Sequence, residues 1–341
     1  MPRTPTSRPS PIRRLAFASL WAFAALAAPH VQAAGKCGIS AMTIPVTVTG
    51  SRAIAHVQID GTDVPLMVDS GSFSSFLTEA AAERLHLHTH PAPPEMRVFG
   101  VVGKVDTRVT TVQQLKLQDG SLGDVEFIVG GNEVGAGAWG VLGRNLLGSR
   151  DMEFDLAHGV IRIVVPGSGC GKTNLAYWAA ADTPVSVSDL YNEDEGATPE
   201  IMIGVKVNGK DVHAVLDTGA PVTVVSRAIA LRAGLTDADM KPAGHAYGMG
   251  GGEVSQWTGH FDTVELGAER IRNNTLAIAD YDDRTDMLLG LDFFLAHHVY
   301  VARSQGRLYF TYNGGPIFLL NTTAKDAAAA PSGAPLQDAA A

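Results

Sequence analysis

Two stretches of this chain, 148 residues apart, spell the same supersecondary unit. Val57-Gln58-Ile59-Asp60-Gly61-Thr62-Asp63-Val64 reads as a strand, a tight turn and a return strand. Val205-Lys206-Val207-Asn208-Gly209-Lys210-Asp211-Val212 repeats it. Asp-Gly and Asn-Gly accept the positive φ angles that a two-residue hairpin turn requires. The return strands continue into Met67-Val68-Asp69-Ser70-Gly71 and Val215-Leu216-Asp217-Thr218-Gly219. Phe99-Gly100-Val101-Val102-Gly103 then matches Tyr247-Gly248-Met249-Gly250-Gly251 at the same offset. Val141-Leu142-Gly143 matches Leu288-Leu289-Gly290, and His158-Gly159-Val160 matches Gln305-Gly306-Arg307, both at 147. Five features recurring in order with one residue of slip mark an internal duplication. The fold must therefore be built from two homologous halves.

Each half reads mostly as β, with alternating apolar strands punctuated by glycine turns, and charged residues make up only 18% of the chain. Short helices are predicted over 78–87, with Thr78 as N-cap, over its counterpart 226–233, and after each repeated Leu-Gly. The expected fold is all-β and bilobal, two homologous β-barrel lobes with a few short helices. The lobes are assigned to 40–165 and 200–320, joined by a linker over 166–199. The Ala/Pro/Ser/Gly-rich segment 321–341 is expected to be a disordered tail.

Residues 1–33 carry Arg3, Arg8, Arg13 and Arg14, an apolar run from Leu15 to Ala28, and a small-residue cleavage site at Val31-Gln32-Ala33. This pattern predicts a signal peptide and export to the periplasm or medium; the alternative is a retained N-terminal anchor. No stable membrane span is expected. The two cysteines, Cys37 and Cys170, read as a disulfide in an oxidising compartment, with two free thiols as the alternative. A net charge of −9 without a basic patch argues against a nucleic-acid partner.

Duplication changes the meaning of Asp69. Asp-Ser-Gly alone is ordinary turn chemistry. Two equivalent strands that each end in Asp-[Ser/Thr]-Gly can meet at a pseudo-twofold axis. Two carboxylates about 3 Å apart cannot both ionise easily and share a proton. The ionised member can take a proton from a water held between them, and the protonated member can donate to a substrate carbonyl. That chemistry hydrolyses an amide without metal, cofactor or covalent intermediate. Ser70 and Thr218 are expected to brace the pair across the axis, and Gly71 and Gly219 to permit the tight turns. Ser72 offers a further hydroxyl donor that Ala220 lacks, which would make the two aspartates inequivalent.

With Asp69-Ser70-Gly71-Ser72, Asp217-Thr218-Gly219-Ala220, Val141-Leu142-Gly143-Arg144-Asn145-Leu146-Leu147 and Leu288-Leu289-Gly290-Leu291-Asp292, the chain resembles the retropepsin-like aspartic proteases. The resemblance covers roughly 42–165 and 201–320, as two fused lobes in one chain. It implies an aspartic endopeptidase with Asp69 and Asp217 as the catalytic pair in an interlobe cleft. It also implies that the segment after each Leu-Gly passes beneath the catalytic loop. Phe99, Gly100, Val101, Val102 and Gly103, and Tyr247, Gly248, Met249, Gly250 and Gly251, become flap tips that close over an extended peptide or protein substrate. With both aspartates in one chain, dimerisation is not required. The alternative is a non-catalytic peptide-binding or scaffold protein that retained the fold.

Three other patterns point elsewhere. Pro166 to Thr173 nearly spells a phosphate-binding loop, but Pro166 stands where glycine is required and Pro184 leaves no room for the following helix. His86, His88 and His90 alternate, but no carboxylate or cysteine cluster completes a metal site, so a solvated loop is expected. His297-His298 reads as a helix C-terminus favoured by the helix dipole.

Overall fold

The computed structural model describes residues 37–93, 96, 98–100, 103–105, 107–131, 134–148, 150–191, 200–247, 253–280 and 285–320. The expected signal peptide, the tail and the acidic stretch Glu193-Asp194-Glu195 lie outside these. The described chain is all-β with a few short helices, and the two halves adopt matching topologies.

The repeated hairpins form as the turn chemistry demands. Strand Arg52–Ile59 pairs with Thr62–Val68, and Met202–Val207 with Lys210–Leu216. Asp60 and Gly61, and Asn208 and Gly209, all take positive φ at the turns. In each lobe a third strand then lies parallel to the return strand. Gly140–Leu142 pairs with Leu66–Val68, and Met287–Leu289 with Ala214–Leu216. The parallel ladder runs on to the aspartates, because Asp69 N–H donates to Leu142 O at 3.0 Å and Asp217 N–H to Leu289 O at 2.9 Å. The repeated apolar-apolar-Gly segment thus fixes the backbone of each aspartate.

The short helices follow their caps. Thr78 accepts from Ala81 N–H to open Glu79–Arg84, and Ser226 accepts from Ile229 N–H to open Arg227–Arg232. Helices Arg144–Leu147 and Leu291–Ala296 follow the two Leu-Gly pairs. Alternate strand residues fill the barrel interiors, among them Leu66, Val68, Phe127 and Leu142 in the first lobe and Ala214, Leu216, Phe261 and Leu289 in the second.

A six-stranded antiparallel sheet joins the lobes. Its order is Ile39–Pro45, Val160–Pro166, Asp151–Asp155, His297–Ala302, Arg307–Tyr312 and the start of Ser186–Tyr191. At its centre Glu153 pairs with Tyr300, flanked by Met152 with Val301 and Phe154 with Val299. Glu153 and Tyr300 are 147 apart, the offset of the sequence repeat, so the pseudo-twofold axis passes through this pair. Part of the expected linker is therefore structural. Its strand Ser186–Tyr191 half-buries Ser186, Ser188 and Leu190 and exposes Val187, Asp189 and Tyr191, so neither face is continuously apolar, which hid it from an apolar-run criterion. Upstream, Leu175, Ala176 and Trp178 strap across Val164, Tyr300 and Tyr309 of the sheet. Cys170 anchors that strap to Cys37 through a disulfide, which resolves the two-thiol alternative. The phosphate-loop lookalike is a single 3-10 turn, Ser168–Cys170, with no helix after it.

The two adjacent histidines depart from expectation. The helix ends at Ala296, and His297 and His298 open a buried strand. His297 Nδ1 does reach the last-turn carbonyl of Phe293 at 2.8 Å, but its Nε2 contacts Glu269 at 3.0 Å. His298 Nε2 donates to Glu153 Oε1 at 2.9 Å, across the lobe boundary. Arg162 Nη1 donates to the same oxygen at 2.5 Å, and Tyr177 OH donates to Oε2. Burial opposes the charge on Glu153, yet the His298 and Tyr177 hydrogen bonds and the Arg162 charge hold its carboxyl below the usual range. Tertiary partners, not the helix dipole, decided where these histidines went. Among the described residues no helix is long and apolar enough to cross a membrane.

Candidate active site

The two Asp-[Ser/Thr]-Gly turns meet at the pseudo-twofold axis. Each loop lends a hydroxyl to the other. Thr218 Oγ1 accepts Ser70 N–H at 3.0 Å and donates to Val68 O at 3.0 Å. Ser70 Oγ accepts Thr218 N–H at 3.0 Å and donates to Leu216 O at 2.7 Å. Both side chains are fully buried. Four hydrogen bonds therefore lock the strand ends of opposite lobes in register, each buried hydroxyl both donating and accepting across the axis. Thr218→Val removes one hydroxyl and orphans Ser70 N–H and Val68 C=O. It is expected to cost about 2–4 kcal/mol in chemical denaturation, with Thr218→Ser recovering most of the loss.

Within this brace the carboxylates are held alike. Asp69 Oδ1 accepts from Gly71 N–H at 2.9 Å and Ser72 N–H at 2.8 Å. Asp217 Oδ1 accepts from Gly219 N–H at 2.8 Å and Ala220 N–H at 3.2 Å. Each carboxylate lies against the glycine of the opposite loop. A Cβ on Gly71 would sit 2.6 Å from Asp217 Cγ, and one on Gly219 would sit 2.4 Å from Asp69 Cγ. Glycine is required there for close approach. Burial, then the charge of Asp217, pushes the Asp69 carboxyl up to about 8. Burial also raises Asp217, opposed by its backbone donors and by a hydrogen bond from Asp69. The pair titrates as a unit and retains one proton over a wide pH range.

Ser72 does not do what its sequence position suggested. Its hydroxyl donates to Ser74 O at 2.8 Å, and only its backbone N–H reaches Asp69. The backbone N–H of Ala220 does the same for Asp217, so this position does not distinguish the aspartates. The hydroxyl is taken up by a backbone acceptor within its own turn.

Beneath each loop lies the segment after the repeated Leu-Gly. Asn145 Oδ1 accepts from Ser75 N–H at 2.8 Å and Ser75 Oγ at 2.7 Å. Asp292 repeats this on Thr223, accepting from its N–H at 2.9 Å and Oγ1 at 2.7 Å. Arg144 Nη1 donates to Gly71 O at 2.6 Å. The sequence alone gives none of these three side chains a site role, although the 147-residue match of Asn145 with Asp292 is the signal that both support equivalent turns.

The strands that carry the expected flaps are hairpins. Val98–Gly100 pairs with Gly103–Val105, and Lys241–Tyr247 with the start of Glu253–Leu266, bringing Tyr247 opposite Glu253. Val101 and Val102, and Gly248, Met249, Gly250 and Gly251, lie outside the described residues. His86, His88 and His90 are exposed. Among the described residues no group of three or more His, Cys, Asp or Glu is arranged to hold a metal ion.

Comparison with known families divides the chain as its repeat does. Residues 55–149 match the aspartyl protease family, and residues 203–296 match the gag-polyprotein putative aspartyl protease family. Solved structures with a similar chain trace include basic 7S globulin from soybean and an aspartic proteinase from Irpex lacteus. The globulin is 12% identical with a TM-score of 0.41, covering 80% of this chain and 95% of that one. The proteinase is 12% identical with a TM-score of 0.47, covering 80% of this chain and 97% of that one. No curated protein sequence matches the chain.

Proposed function

We propose that this chain, which belongs to the retropepsin-like aspartic proteases, is an endopeptidase that hydrolyses peptide bonds with a water activated between Asp69 and Asp217. One observation carries the reading. Two carboxylates, one from each lobe, face each other across the axis, each with one oxygen tied by two backbone N–H groups. That arrangement leaves the other oxygens for a water and a substrate carbonyl. The ionised aspartate takes a proton from the water as its oxygen attacks the carbonyl carbon. The protonated aspartate gives its proton to the carbonyl oxygen. In the collapse of the tetrahedral adduct, a hydroxyl of the adduct gives its proton back to the ionised aspartate as the carbonyl reforms, and the protonated aspartate gives its proton to the leaving amine as the C–N bond breaks, so the pair again holds one proton.

The substrate is an extended peptide or protein segment seated in the cleft and covered by the two flap hairpins, which offer backbone groups for strand-like pairing. One chain supplies both carboxylates, so activity per molecule should not depend on dilution. The Cys37–Cys170 disulfide supports residence in an oxidising compartment, in keeping with export by residues 1–33.

The test is incubation of the protein with a mixed peptide library from acid to alkaline pH, read by mass spectrometry. Internal cleavage is expected through the acid and neutral range, falling as pH passes about 8, where Asp69 gives up the shared proton. No cleavage at any pH would leave the family fold without its chemistry.

A further inference from the structure

The dyad is symmetric in its backbone and unsymmetric in what lies beneath it. Under each loop, the first residue of the short helix caps the same overlying carbonyl. Arg144 N–H donates to Ser72 O at 2.9 Å, and Leu291 N–H to Ala220 O at 2.8 Å. Their side chains then differ completely. Leu291 is buried hydrocarbon. Arg144, also buried, turns its guanidinium up to the loop, with Nη1 2.6 Å from Gly71 O and 3.5 Å from Ser70 O. Gly71 is the residue against which the Asp217 carboxylate packs. A buried cation therefore stands one peptide unit from Asp217, and the equivalent place under the other loop holds none.

We propose that Arg144 is a positioning residue for charge: it keeps the dyad's carboxylate on Asp217 and leaves the shared proton on Asp69. Asp217 is then the group that receives the water's proton, and Asp69 the group that donates to the carbonyl oxygen. This assignment of roles rests on the protease reading, but the order of charge is a property of the protein whether or not it cleaves peptides.

The surrounding charges agree in balance. Glu200 faces Arg144 at 4.0 Å but is a third exposed, so solvent screens the pair and leaves much of the cation's field to the dyad. Arg303, across the lobe boundary, adds positive charge near Arg144, tempered by Asp151. Asp292, under the second loop, acts in the opposite sense. Its carboxylate is already taken up by Thr223 N–H and Oγ1, Phe293 N–H and Leu319 N–H. After burial and the local hydrogen bonds, the charge of Arg144 acts to lower the Asp217 carboxyl, whereas the charge of Asp217 acts to raise Asp69.

Two variants of opposite sign test this. Arg144→Met removes the cation and is expected to move the acid limb of the kcat/KM profile up by about one pH unit, with Arg144→Lys restoring it. Glu200→Gln, at a partly exposed position that folding tolerates, frees more of the cation's field and is expected to move the same limb down. Carbon-13 NMR titration of the aspartate carboxyls, assigned with Asp69→Asn and Asp217→Asn, reads the same order without turnover. Asp217 should carry the carboxylate signal to the lower pH, and Arg144→Met should erase the difference. Unmoved limbs and titrations in both variants, or a carboxylate signal on Asp69, would overturn the proposal. A wild type that cleaves nothing yet shows the titration order would instead sink only the protease reading.

Discussion

Asp217→Asn, and separately Asp69→Asn, should each lower kcat/KM for a cleaved peptide by about 1,000-fold or more while leaving the fold intact. Asn preserves the acceptor oxygen that takes the two loop N–H groups, so the turn has no reason to move. It removes the capacity to carry the shared proton, and proton transfer by a positioned group contributes about 100- to 10,000-fold. The stability effect runs the other way. The native pair holds a proton to higher pH than an unfolded aspartate does, because burial and its neighbour raise Asp69 to about 8 from 3.8. Its favourable contribution is complete below about 3.8 and is lost as pH rises through about 8. Asp69→Asn should therefore melt higher than the parent at neutral and alkaline pH, with the gap closing in acid. Cleavage that survives both substitutions would place the chemistry elsewhere.

Glu153→Ala should destabilise the protein by about 3–5 kcal/mol at pH 7, measured by urea unfolding. This carboxylate is buried at the centre of the interlobe sheet and receives donors from three places: Arg162 of its own lobe, His298 of the other lobe and Tyr177 of the strap. Removing this carboxylate leaves the buried His298 ring without its partner, which is where the cost arises, while Arg162 and Tyr177 keep access to solvent. Trp178, stacked 4.0 Å from the His298 ring, loses its platform as the ring is freed. Because the Glu153 carboxyl is held below 4.5, its contribution is present above that pH and lost as pH falls through the depressed value. The difference between variant and parent should therefore shrink in strong acid. An unchanged midpoint at pH 7 would mean that the strap and sheet hold the lobes without this network.

Much of the site was legible because duplication converts weak motifs into paired ones. Asp69-Ser70-Gly71 is a common turn; its recurrence in a matched series of features marked both aspartates, the Ser70/Thr218 brace and the glycines. Spacing could not report where Ser72 sends its hydroxyl, since the local turn directs it to Ser74 O. Nor could it find the buried fate of His297 and His298, whose partners Glu269 and Glu153 lie 28 and 145 residues away. The strand Ser186–Tyr191 was hidden for a related reason. At the edge of the sheet it needs no continuous apolar face, only a partner in Arg307–Tyr312.

The sequence by itself determined that this protein has two equivalent lobes, that each is built of hairpins ending in an aspartate turn, and that the two aspartates are equivalent positions of one repeat. These follow from local turn preferences and alternation, which are properties of short segments, and from their recurrence along one chain, which needs no knowledge of contacts. Only the tertiary structure decided how alike the two aspartates are. Their loops are equal by backbone, and the inequality comes from Arg144 against Leu291, a buried cation opposed to hydrocarbon under loops of the same shape. Field and desolvation act through space, so their source is fixed by which side chains the fold brings beneath the dyad.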